Sequence, residues 1–175
     1  EYSSNDRDAR IQQYLAIAMG ATKDMRYMKT LIEAMPNADI GVVQACAFAL
    51  GNIGASEAID PLKNLLDNSE PQVRLHAVIA LGKIGGSSTI PLLQSMLSDQ
   101  EPNVRWDASI ALAKQKDSSG RSILLDLLDR KYLNSFPNID EKEKVQVMLV
   151  AISVAHFIQN QELKSRLEDI NSSEN

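Results

Sequence analysis

A chain of 175 residues that is 44% apolar but only 5% aromatic predicts a core of aliphatic side chains and alanine. Its net charge of −5, with 18 basic and 23 acidic residues and no long run of either sign, argues against a surface for nucleic acid or anionic membrane, because both need clustered lysine and arginine. No apolar run reaches the roughly 18 residues of a membrane span, and the single Cys46 excludes an internal disulfide. We expect the cytoplasm by default.

A repeat of 31 residues begins with the first predicted helix, at about residues 6–20. The end of this helix recurs along the chain as Gly20, Gly51, Gly82 and Ala113. Two further sets recur at the same interval: Ile11, Val42, Val73 and Val104, and Ala18, Ala49, Ala80 and Ala111. A fixed period of this length is typical of units that bury their apolar faces only by stacking on neighbours. We therefore expect Ala80 and Ala111 to lie in tight contacts between units.

Each unit is predicted to hold two helices, as residues 56–84 illustrate. The first covers about 56–67, where Ile59, Leu62 and Leu65 are spaced for one apolar face. The second covers 71–84 and starts at Pro71, because proline at the first turn of a helix loses no hydrogen bond. It ends at a Gly-Gly pair, where a positive φ costs little. Regular units of this kind cover about residues 6–130.

The C-terminal part of the chain departs from the period. Val145 stands 41 residues after Val104, so about ten residues, 131–140, are inserted. A helix at about 141–159 is apolar almost all round and should be covered on several sides, and a shorter helix follows to about 170. We expect a single domain, residues 1–175, with an irregular helix pair at 141–170, cut from a longer chain.

The second helices carry a motif that resembles a known family. The strings Glu-Pro-Gln-Val-Arg-Leu-His-Ala-Val-Ile-Ala-Leu-Gly from Glu70 and Glu-Pro-Asn-Val-Arg-Trp-Asp-Ala-Ser-Ile-Ala-Leu-Ala from Glu101 resemble the HEAT repeat. They are most similar to its short variety, found in phycobilisome-lyase-like proteins. The resemblance implies an all-α fold, a right-handed α-α superhelix whose Val-Arg helices line the concave side. It also implies a scaffold that binds proteins.

Few side chains indicate chemistry. Arg74 and Arg105 of the Val-Arg motif are expected to pair with acidic residues in the turns between helices. His76 and His156 lack the further ligands that a zinc site needs, so we predict no metal and no cofactor; His156 is expected in the core. Cys46 aligns with alanines and is expected to be a small buried hydrophobe.

Trp106 is the strongest candidate for partner binding. It aligns with Gln13, Gln44 and Leu75, which lie roughly 200° around the helix from the core valine. These four residues should form an exposed stripe along the concave face, with Arg105, Asp107 and Ser109 beside Trp106. Tyr132 and Phe136 in the insert are the next candidates. The alternative is that Trp106 covers a neighbouring helix or packs beneath the insert.

The preferred hypothesis for function is therefore a non-catalytic scaffold that binds a protein partner through its concave face. A lyase or chaperone-like activity on a tetrapyrrole-bearing protein, such as a bilin lyase, is an alternative that only the repeat subtype suggests. A third hypothesis is a structural repeat module of a larger protein. The sequence leaves the partner and the oligomeric state open.

Overall fold

The computed structural model describes residues 4–36, 39–158 and 160–173, and long and short helices alternate in it as far as residue 127. In chain order the helices are α1 (Ser4–Thr22), α2 (Met28–Ala34), α3 (Ile40–Ile53), α4 (Ile59–Lys63), α5 (Pro71–Ile84), α6 (Ile90–Ser95), α7 (Pro102–Lys114), α8 (Arg121–Leu127), α9 (Arg130–Asn134), α10 (Glu141–Ala155) and α11 (Gln161–Ser173). Short 3-10 turns occupy Met25–Tyr27, Ser56–Ala58 and Met96–Ser98. The described part of the chain holds no strand, and the predicted all-α repeat fold is confirmed.

Local signals place the helix ends much as predicted. Pro71 and Pro102 stand in the first turns of α5 and α7. The side chain of Asp39 caps α3 by accepting a hydrogen bond from the Gly41 amide at 2.9 Å. Helix α3 ends at Gly54, whose φ of 76° is a left-handed conformation that glycine adopts at little cost.

The helices α1, α3, α5 and α7, hereafter the inner helices, pack side by side at backbone distance. A Cβ atom on Gly20 would lie 2.5 Å from the Ala49 Cα atom, and one on Gly51 would lie 2.7 Å from the Ala80 Cα atom. The predicted tight contact at Ala80 is confirmed. Among the residues described, the short helices of successive units make no comparable contacts. The inner helices are the second helices of the units, which the family resemblance implies line the concave side, and we refer to their solvent-facing surface as the concave face.

The stack changes where the glycine is missing. Ala113 occupies the fourth glycine position and is fully buried among the residues of the C-terminal core. Helix α10 packs against α7 less closely than α7 packs against α5. That C-terminal core contains Trp106, the leucines of α8 and the inner face of α10.

The predicted register of α10 is wrong. Val145, the expected core position, is 48% exposed, and Leu149 is exposed as well. The buried residues are instead Ala151, Val154 and Ala155, with Val147 half-buried beside them. The apolar face therefore begins two residues later than the 41-residue spacing predicted. The expectation that α10 is covered on several sides is also wrong, since the side that carries Val145 and Leu149 faces solvent.

Candidate functional site

The motif arginines hold the turns between helices. Arg74 forms a bidentate ion pair with Asp99, its Nε and Nη2 atoms lying 2.7 and 2.8 Å from the two carboxylate oxygens. The hydrogen bonds from Arg74 lower the pKa of Asp99 below its ordinary value. Arg105 donates to the backbone carbonyls of Asp99 and Gln100 at 2.7 and 3.0 Å. The expected pairing is confirmed for Arg74, whereas Arg105 stabilises its own turn through backbone acceptors.

Trp106 is not exposed, and the expectation that it lies on an open stripe is wrong. Its side chain is 2% exposed. The indole Nε1–H donates to the Tyr132 hydroxyl at 3.2 Å, and the indole meets the Phe136 ring edge to face at 5.1 Å between centroids. The alternative, that Trp106 packs beneath the insert, is the one the structure shows.

The neighbours of Trp106 share this internal position. Tyr132 and Phe136 lie edge to face against each other at 5.1 Å and are half-buried. Ser109 is fully buried, its hydroxyl donates to the Trp106 carbonyl at 2.8 Å, and its Cβ atom lies against Gly120. The expected exposure of Ser109 beside the stripe is therefore wrong. The aromatic residues of the insert close the end of the repeat stack.

The direction of the predicted stripe explains the error. Gln13, Gln44 and Leu75 are all half-buried, not open. Gln13 donates from Nε2 to the Asp39 carboxylate at the start of α3, at 3.4 Å. A side chain that projects roughly 200° around the helix axis from the core valine points away from the core of its own unit. It points instead toward the next inner helix. For Trp106 that next element is the insert together with α10.

A different set of residues lines the open part of the concave face, and the pattern of the sequence did not lead us to predict it. Ile17, Phe48, Ile79 and Ile110 recur at the same 31-residue interval, and we call them the apolar row. Ile17 is 44% and Phe48 37% exposed, Ile79 is half-buried, and Ile110 is buried near α10. Part of the signal lies in the sequence, because the repeat alignment shows an all-apolar column off the core face of each helix, but it does not show which members of that column stay exposed.

Polar and charged side chains flank the apolar row. Lys83 lies with its Nζ atom 4.2 Å from the centre of the Phe48 ring and donates to the Asn52 side chain at 2.8 Å. Gln13, Gln44 and His76 border a hollow of about 260 Å³ that also contains Ile17 and Phe48. This mixture of an aromatic ring, aliphatic groups and amides is typical of surfaces that bind proteins.

A second hollow, which we call the C-terminal cleft, lies between α5, α7 and α10. It measures about 210 Å³ and is bordered by Leu75, Trp106, Asp107, Ile110, Val147 and Val150, with Asn103, Glu143 and Gln146 at the polar positions. Burial raises the pKa of Asp107 to about 6, although Lys114 and His76 act in the opposite direction. Asp107 thus lines the C-terminal cleft, and its carboxyl group is poorly solvated.

The remaining candidate residues from the sequence are Cys46 and His156. Cys46 is buried as expected, and desolvation raises its pKa to about 11, so its thiol is a poor nucleophile. Contrary to expectation, His156 is exposed, with its ring 4.0 Å from that of Phe157. The described residues include no group of three or more histidine, cysteine or acidic side chains placed to hold a metal ion. No helix within the described ranges has the length and apolar character to cross a bilayer.

A comparison with models of protein families confirms the resemblance that the motif indicated. The model of HEAT repeats matches residues 1–74 and again 59–133, which together cover most of the chain. The chain belongs to the HEAT repeat family. No match was found among curated proteins.

Solved structures agree with this family. The complex of CpcE and CpcF of phycocyanin lyase from Nostoc sp. PCC7120 is similar over 92% of this chain and 73% of that chain, with 21% identity and a TM-score of 0.59. The crystal structure of an engineered protein is similar over 94% of this chain and 92% of that one, with 19% identity and a TM-score of 0.51. At these identities the likeness shows the fold, and the chain is a helical-repeat scaffold.

Proposed function

We propose that this chain is a non-catalytic scaffold that binds a protein partner across the concave face of its inner helices. The observation that carries the proposal is the apolar row, which leaves Ile17 and Phe48 open to solvent. Large apolar side chains grouped on one surface of a folded domain are typical of an interaction site. The amides of Gln13 and Gln44 and the ammonium group of Lys83 supply polar contacts at its border.

The size of the hollows on the concave face also favours a macromolecular partner. They measure about 260 and 210 Å³, below the roughly 300–1,000 Å³ of typical small-molecule pockets. Among the similar structures, the Nostoc lyase is a complex of two proteins, which agrees with a protein partner. The alternative of a bilin or tetrapyrrole lyase rests on likeness of fold alone, and fold is a weak guide to chemistry.

Affinity capture with the tagged chain tests the proposal. Phe48→Ala and Ile17→Ser remove the exposed apolar groups and should abolish capture of a partner that wild type retains. Because both side chains are exposed, each variant should keep its melting temperature within a few degrees. Met25→Ala is the control, since Met25 is also an exposed apolar residue, at 50% against 44% for Ile17 and 37% for Phe48, but lies in the turn before α2. Equal capture by wild type and both concave-face variants would show that this surface is not the binding site.

A further inference from the structure

Asp107 is the most unusual polar residue of the concave face. It lies on α7 in the C-terminal cleft, where Leu75 from α5 and Val147 and Val150 from α10 supply apolar walls. Its pKa of about 6 shows that the surroundings disfavour the ionised form, with burial as the largest cause. A carboxylate in such a place must be charged at neutral pH while partly shielded from water.

Within the part of the chain that the structure describes, no side chain neutralises that carboxylate at close range. Across the described residues, no hydrogen bond or ion pair reaches the Asp107 carboxylate. The basic groups whose charges most affect Asp107 are Lys114, on the same helix, and His76 on α5. The Nδ1 atom of His76 lies 2.7 Å from the Gln72 carbonyl oxygen, so that nitrogen is occupied within its own helix. By contrast, the partly buried Asp99 is held by two charged hydrogen bonds from Arg74.

The other polar groups of the cleft, like Asp107, favour a positively charged ligand. Glu143 on α10 adds a second carboxylate at the border, and Asn103 and Gln146 offer amide oxygens as further acceptors. An alkyl chain would contact the aliphatic walls while its charged end met these acceptors. Arginine and lysine side chains combine such a stem with a cationic head. The volume of about 210 Å³ suits one side chain, being below the range of typical small-molecule pockets.

We propose that the C-terminal cleft receives a cationic side chain, arginine or lysine, from the protein partner, and that Asp107 is the residue that binds its charge. This inference rests on the proposed function and adds the chemistry of the partner: a basic residue that projects from the segment lying along the apolar row. The cleft and the row then form one surface, apolar toward α1 and α3 and acidic at the end near α10.

A side-chain mimic tests the site without the partner. Butylguanidinium would be titrated into isotopically labelled protein, with the methyl groups of Leu75, Val147 and Val150 and the indole of Trp106 observed by NMR. We expect saturable shifts at these groups in wild type. In Asp107→Asn the affinity should fall by about tenfold or more, the loss expected for a hydrogen bond to a charged group. N-butylurea, a neutral molecule of similar shape, is the ligand control.

Each other outcome of the titration overturns the inference. Equal shifts with butylurea would show that the cleft selects shape and not charge. Equal binding to Asp107→Asn would assign recognition to another acidic group, such as Glu143. Absence of binding by butylguanidinium to the wild-type cleft would show that the cleft holds no cation site. The Asn variant is suited to this test because it preserves the shape of the side chain and removes only the charge.

Affinity capture separates this inference from the proposed function. If Phe48→Ala loses the partner and Asp107→Asn keeps it unchanged, the concave face binds the partner but the cation site is wrong. If neither substitution affects capture, the concave-face function itself fails. Loss of the partner in both variants, together with unchanged capture by Met25→Ala, supports both.

Discussion

Replacing Asp107 by asparagine should make the folded protein more stable at neutral pH. The ordinary pKa of an aspartate is 3.8, and burial raises that of Asp107 to about 6. A group whose pKa is raised on folding binds more protons in the native state than in the unfolded state between these two values. The free energy of unfolding therefore falls as the pH rises from about 4 to about 6.

The size of the effect follows from the shift. About two pKa units at 1.36 kcal/mol each give a ceiling of about 3 kcal/mol at pH 7. The cleft is open to water on one side, and asparagine places a polar amide of similar shape in the same position. We therefore expect the free energy of unfolding of Asp107→Asn at pH 7 to exceed that of wild type by about 1–2 kcal/mol, less than the ceiling. Well below pH 3.8 the carboxyl group is neutral in both states, and at pH 4 the stabilities of the two proteins should already be much closer than at pH 7.

Urea denaturation at pH 4 and pH 7, followed by the fluorescence of Trp106, measures this difference. Asp117→Asn is a control of opposite sign, because hydrogen bonds from Ser119 lower the pKa of Asp117. That substitution should be neutral or destabilising at pH 7. A variant at Asp107 that is less stable than wild type at pH 7, or whose effect is the same at both pH values, would refute the assignment of a desolvated charge.

Three further substitutions test the packing. Gly51→Ala places a Cβ atom 2.7 Å from the Ala80 Cα atom and should cost about 1–3 kcal/mol in urea denaturation, in spite of the helix propensity of alanine; a gain in stability would mean that the inner helices separate easily. Trp106→Ala should cost about 3–5 kcal/mol and lower the melting temperature, because it empties the C-terminal core; an unchanged melting curve would contradict the burial of the indole. Arg74→Met should cost about 1–3 kcal/mol by leaving Asp99 unpaired, and a double-mutant cycle with Asp99→Asn should show coupling above about 0.5 kcal/mol.

The helical layers could be predicted from the sequence because neighbouring inner helices pack at backbone distance, and this packing requires small residues at the contact. Glycine followed 29 residues later by alanine allows two inner helices to touch, as at Gly20 and Ala49 or Gly51 and Ala80. A column of such small residues therefore predicts the contact surface between units. The loss of this signal at Ala113 also marks the place where the regular stack ends. What could not be read there is the register of α10, because its apolar residues surround the helix and leave its buried face undetermined.

The candidate site was harder to predict because the exposure of a side chain depends on which neighbouring helices cover it, and the sequence of one helix does not show this. Counting around a helix shows that Trp106 lies away from the core of its own unit. It does not show that the next inner element occupies that direction, and the insert that covers the indole has no equivalent elsewhere in the repeat. Ile17 and Phe48 were missed for the same reason, since only the assembled layer shows which apolar column has no neighbour.

The hydrogen bonds and ion pairs of the partly buried and buried polar side chains support our proposal for the location of the binding surface. The partly buried carboxylate of Asp99 is neutralised by Arg74, and every fully buried side-chain polar atom among the described residues has a hydrogen-bond partner. Asp107 departs from the arrangement at Asp99: burial raises the pKa of its carboxyl group to about 6, and within the described residues no hydrogen bond or ion pair holds it. It lies on the same surface as Phe48, a large apolar side chain open to solvent. Proteins concentrate such departures at functional sites. A basic, apolar segment of a partner would satisfy both residues at once, which is why we place the binding surface here and not on the convex side.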